Sequence, residues 1–110
     1  MEITTWESPT RVDDLDGGGQ RRVLAYTDEL MIVHYSLTEG DTGEPHAHEE
    51  TTQASFVIDG RLELVGEASR KLTAGDSYVI PPGTVHGVRA LTDCTVVDAF
   101  SPPLDAYTPV

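Results

Sequence analysis

The stretch "GEPHAHEETTQASFVIDG", residues 43–60, carries, besides its acids, three side chains able to hold a metal: His46, His48 and Gln53. Along an extended strand successive side chains alternate faces. His46 and His48 therefore point the same way, and Gln53 has the opposite parity. The intervening "EETT" must turn or bulge if all three are to converge. A fourth candidate, His86, stands far off in "PPGTVH". Neutral imidazoles suit Zn, Ni, Cu and Fe. An isolated His-x-His is better read as a pair of surface histidines on an acidic loop. The Gln is the odd member, because a carboxylate at that place would make the stronger ligand.

On either side of this stretch the chain breaks into short β-rich runs separated by turn signals, with no helical period of useful length. "TQASFVI" and "RLELVG" flank Asp59-Gly60, a two-residue hairpin signal. Upstream, "RRVLAY" and "LMIVHYSL" flank "TDE"; downstream, "AGDSYVIPPG" holds a short strand, and "HGVRAL" and "CTVVDAF" are separated by "TD". Regular short strands with Gly/Pro punctuation predict an all-β sandwich or barrel. A chain of 110 residues suits one domain, with the barrel core over about residues 20–100. Segments 1–18 and 101–110 read as irregular, and Gly17-Gly18-Gly19 as a break before the barrel. In "CTVVDAF" the alternation puts Cys94, Val96, Asp98 and Phe100 on one face. If that face is the lumen side, an acid and an aromatic ring line the pocket together. Each also has an ordinary reading: a strand-end carboxylate pairing an Arg, and a core Phe.

Composition narrows the partners. Nineteen Asp and Glu against seven Lys and Arg give a net charge of −12, and Lys71 is the single lysine. Such a surface repels nucleic acid and anionic membrane. The acids are scattered, as on a solvated surface, and acid-rich, lysine-poor surfaces are typical of proteins from a salt-rich cytoplasm. One cysteine, Cys94, precludes an intrachain disulfide. The first ten residues lack the basic and apolar regions of a signal peptide, and no apolar run approaches membrane-spanning length. The expectation is a cytoplasmic protein.

The spacing of the metal candidates resembles the cupin family. Its first motif (Gly, five residues, His-x-His, three or four residues, Glu, six residues, Gly) reads here as Gly40, His46, His48, Gln53 and Gly60. Its second (Gly, five residues, Pro-x-Gly, two residues, His, three residues, Asn) reads as Gly75, Pro81, Gly83, His86 and Ala90. The departures are Gln53 for Glu and Ala90 for Asn. The resemblance implies a double-stranded β-helix, or jelly-roll, barrel with one divalent transition metal (Ni, Zn, Fe or Mn) at its mouth, held by His46, His48, Gln53 and His86. Three imidazoles and one amide leave such a cation its full formal charge, which favours an anionic ligand.

Within the cupins, "YTDELMIVHYSLTEGDTGEPHAHEETTQ" and "VVDAFSPP" resemble the KdgF family, small cupins that convert 4,5-unsaturated monouronates to linear keto-uronates. That resemblance implies a small anionic substrate, a sugar acid. It implies Asp98 as the catalytic proton carrier, and Phe100 and Arg21 as substrate contacts. The family has an Arg after the two prolines, where this chain has Leu104. Two other classes fit a cupin barrel: a different metal-dependent enzyme, such as a dioxygenase or lyase on a small carboxylate, and a non-catalytic ligand binder. Small cupins often pair, so a homodimer with Trp6 buried is expected.

Overall fold

The computed structural model describes residues 1–67 and 69–109. Ten strands follow one another: β1 (Arg11–Asp14), β2 (Gln20–Tyr26), β3 (Met31–Leu37), β4 (Thr42–His46), β5 (Thr52–Asp59), β6 (Arg61–Gly66), β7 (Arg70–Thr73), β8 (Ser77–Ile80), β9 (His86–Ala90) and β10 (Cys94–Ser101). A 3-10 turn, Asp105–Tyr107, closes the described chain. All strand pairs are antiparallel. They form a six-stranded sheet, β1-β2-β3-β10-β5-β8, and a four-stranded sheet, β4-β9-β6-β7. This is the jelly-roll arrangement. No described helix is long and apolar enough to cross a membrane.

Alternation along the strands sorts the core from the surface. On β10 the burial pattern has period two, with Cys94, Val96, Asp98 and Phe100 all buried, as the sequence predicts. On β5 the inward set is Gln53, Ser55 and Val57. The core divides in two. Val57, Leu62, Ala90, Cys94 and Val96 fill one end; Val23, Met31, Val33 and Phe100 fill the other.

Two expectations from the sequence are corrected. Asp59-Gly60 does not join a paired hairpin. β5 pairs with β10 and β8, whereas β6 pairs with β9 and β7, so the turn is a corner between the sheets. Gly60 has φ +83°, and a Cβ there would meet Asp93 O at 2.2 Å and Cys94 Cα at 2.7 Å. The glycine is therefore needed for close approach at the corner, and hairpin and corner look alike locally. The segment 1–18 is also not irregular throughout. β1 pairs with β2 from Arg11↔Val23 to Asp14↔Gln20, and the glycines at 17–19 make the turn between them. An edge strand bearing charges lacks the apolar alternation that marks a buried strand, so the sequence hides it.

The outward face of β8, β5, β10 and β3 is apolar. Val79, Phe56, Ile58 and Ile32 are exposed on it. Register places Val79 beside Ala54, Ala54 beside Ala99, and Ala99 beside Ile32. Phe56 lies beside Val97, and Val97 beside His34. Trp6 stands edge-on to His34 (4.8 Å) and under the Arg22 guanidinium (4.2 Å). His34 is thus a packed surface residue, remote from the other histidines in the register.

Candidate metal centre and cavity

The four candidate ligands come from both sheets and one loop. His46 ends β4 and His86 begins β9, and the two are direct cross-strand partners. His48 lies in the loop between β4 and β5. That loop is the turn demanded by the parity of Gln53, which points inward and is 5 % exposed. The ring centroids of His46, His48 and His86 are 4.6–5.0 Å apart. Their ligating atoms all lie within 4.8 Å of one another.

Hydrogen bonds fix which nitrogens face inward. His46 Nδ1 is 2.8 Å from Glu44 O, and His86 Nδ1 is 2.9 Å from Thr84 O. A carbonyl only accepts, so each Nδ1 carries the proton and each Nε2 keeps its lone pair. His86 Nε2 is buried and has no hydrogen-bond partner among the described residues. A buried nitrogen with a free lone pair is costly unless something takes it, and a cation does so. Burial, and then neighbouring histidines, hold His48 and His86 below the ordinary imidazole range, which keeps them neutral as ligation requires. The residues fit a divalent cation.

Gln53 joins this cluster to a second one. Its Oε1 lies 3.3 Å from His48 Nε2. Its Nε2 donates to Ser55 Oγ at 3.0 Å and to Asp98 Oδ2 at 3.4 Å. Asp98 is buried, and its Oδ1 has no partner among the described residues. Burial pushes this carboxyl up to about 7, against a Ser55 hydrogen bond that pulls it down. Phe100 stands edge-on to His48, with ring centroids 6.0 Å apart.

Apart from Ser55, these residues line one cavity of about 470 Å³, which also takes in Arg21, Tyr35, Tyr78 and Tyr107. Arg21 donates from Nε (3.3 Å) and Nη2 (3.1 Å) to Asp13 Oδ2, so it is salt-bridged yet still faces the cavity. Leu104 packs against the cluster around Phe100. Cys94 is buried in the core. Ser55 and Tyr107 were not singled out from the sequence. Ser55 shares the inward parity of Gln53, which is a legible signal; Tyr107 lies in the C-terminal tail, where strand parity gives none.

The family model for the Cupin domain matches residues 33–100. The chain belongs to the cupin family. It is 34 % identical over 101 residues to the pectin degradation protein KdgF of Dickeya dadantii (strain 3937), covering 90 % of this chain and 86 % of that protein. Among solved structures, KdgF from Halomonas sp. superposes with TM-score 0.86 at 35 % identity, covering 96 % of this chain and 97 % of that one. An RmlC-like cupin from Shewanella frigidimarina NCIMB 400 gives TM-score 0.88 at 31 % identity, covering 98 % and 96 %. This cupin accordingly resembles KdgF across nearly its full length, with a histidine cluster able to bind a metal.

Elemental analysis of the purified cupin should find about one divalent transition metal per chain. His48→Ala and His86→Ala should each lose most of it while keeping the wild-type circular dichroism spectrum. Full metal content in both variants would remove the site.

Proposed function

We propose that this single-domain cupin holds one divalent transition metal (Ni, Zn, Fe or Mn) through His46, His48, Gln53 and His86, and converts 4,5-unsaturated monouronates to linear keto-uronates. The observation that carries this reading is the juxtaposition, in one cavity, of a neutral ligand set, a buried carboxyl with a free oxygen, and an arginine. The resemblance to KdgF supplies the substrate class. A bound divalent cation would supply positive charge to substrate oxygens.

The chain's own residues do the rest. Ring opening of such a uronate is an isomerisation. The C1–O5 bond breaks, the C1 hydroxyl loses its proton and becomes a carbonyl, C4 gains a proton, and C5 becomes a ketone. A group that holds a proton beside the ring must accept one and deliver one. Asp98 lies in the cavity wall with Oδ1 free, and it is kept in place through Oδ2 by the Gln53 amide. Phe100 backs the cavity wall behind His48 and Tyr107 and so shapes the sugar's binding surface, and Arg21 offers a cation to the sugar's carboxylate.

The reading includes a cytoplasmic homodimer. In a chain of net charge −12, the outward positions around Phe56, Ile58, Val79 and Ile32 are uncharged. Two copies can meet there without acid–acid repulsion, with Trp6 at the border of the contact. Light scattering at working salt should give a dimer for the wild type and a monomer for Phe56→Lys/Val79→Lys. A monomeric wild type contradicts the pairing.

The catalytic test follows loss of the unsaturated uronate's ultraviolet absorbance against its spontaneous decay. Asp98→Asn should lower turnover by about 10²–10⁴-fold, the usual contribution of a general acid–base group, with metal content and fold intact. Phe100→Ala should mainly weaken binding. A wild type that never exceeds the spontaneous rate with galacturonate- or mannuronate-derived substrate would refute the sugar reading.

A further inference from the structure

Arg21 is the one Lys or Arg among the described residues that line the cavity. The same cavity is lined by Asp16, Asp41, Glu44 and Asp98, so an anion entering it finds a single fixed side-chain cation. The guanidinium is held on two sides. Asp13 takes its Nε and Nη2, and also takes Arg11 Nε at 3.0 Å. Two guanidiniums thus share one carboxylate, which leaves the group net positive. On the other side the Tyr107 ring lies under Arg21 Cζ, 4.2 Å from centroid to carbon, a cation–π stack that fixes the plane of the guanidinium. Its Nη1 makes no hydrogen bond among the described residues.

Tyr107 is itself pinned. Arg11 Nη1 donates to Ala106 O at 3.0 Å, which ties the C-terminal turn to the Arg11–Asp13–Arg21 cluster. The ring packs edge-on to Phe100, centroids 5.8 Å apart. Tyr35 OH donates to Tyr107 Oη at 2.9 Å, and burial keeps the Tyr35 phenol protonated. With Tyr35 donating, the Tyr107 hydroxyl hydrogen is left free to be given to a ligand in the cavity that both side chains line. His48, Phe100, Tyr107 and Arg21 therefore form a continuous line from the histidine cluster to the arginine.

We propose that the Tyr107 hydroxyl and Arg21 Nη1 together form the subsite for the carboxylate of a sugar acid. They supply two donors at the end of the cavity, where Leu104 packs into the core and offers none. This subsite rests on the sugar-acid reading of the cavity, and it assigns a ligand contact to the C-terminal turn. Tyr107 is a binding and specificity residue, not a proton carrier.

Calorimetric titration of the metal-loaded, full-length protein with D-galacturonate and with neutral D-galactose tests it. The wild type should bind galacturonate more tightly than galactose. Tyr107→Phe keeps the ring and the cation–π stack and removes only the hydroxyl. It should weaken galacturonate binding roughly tenfold to a hundredfold, the range for a hydrogen bond to a charged group, and leave galactose binding unchanged. Arg21→Gln should weaken galacturonate further. Galacturonate binding by Tyr107→Phe equal to wild type overturns the subsite, as does a wild type that does not prefer the acid to the neutral sugar. The uronate assay separates the two proposals. Tyr107-dependent galacturonate binding without turnover keeps the subsite and removes the reaction; turnover with KM unaltered in Tyr107→Phe keeps the reaction and removes the subsite.

Discussion

The site turns on one amide. Gln53 faces the histidines with its oxygen and Asp98 with its nitrogen. A neutral amide does both at any pH, because it carries an acceptor and a donor on the same carbon, whereas an ionised carboxylate only accepts. A glutamate at that position would set a second carboxylate against Asp98 inside a buried wall, where like charges cannot both ionise without large cost. The choice of Gln therefore has two coupled consequences. The histidine cluster gains no negative neighbour at this position, and a buried carboxyl with one free oxygen is tolerated beside the amide.

The fold exists to bring those groups together. His46 and His86 belong to the four-stranded sheet, and Gln53, Ser55, Asp98 and Phe100 to the six-stranded one. The chain passes repeatedly between the two sheets, and it makes the β5–β6 corner at Gly60, where backbone approaches too closely for any side chain. The register then does the fine placement. Gln53 lies opposite Phe100, and Ser55 opposite Asp98, on neighbouring strands of one sheet. The inward faces at this end are polar. The apolar clusters lie beside them and supply the rigidity that a preorganised site needs.

Much of this was legible in the chain. Strand parity puts Asp98 and Phe100 on one shared face, and the same rule requires a turn between His48 and Gln53. What escaped had no local signal. Asp59-Gly60 has the composition of a hairpin, and only long-range pairing makes it a corner. β1 is an edge strand whose charges mask its alternation, although Arg11, Asp13 and Arg21 organise one end of the cavity. Tyr107 follows two prolines in a tail without period, and its place is set by Arg11, Arg21 and Tyr35, all of them more than seventy residues away in sequence. The role of Gln53 was half visible: its neutrality could be read, but its bond to Asp98, forty-five residues on, could not.

The most direct test of the account is Gln53→Glu, measured for metal affinity and for uronate turnover in the same preparation. The added charge beside the histidines should tighten the metal. It should also repel the substrate's carboxylate and clash with Asp98, so turnover should fall although the site is fully loaded. A fully loaded variant that turns over the uronate as well as the wild type, or better, would contradict the claim that the neutral amide between the histidines and Asp98 is what the site depends on.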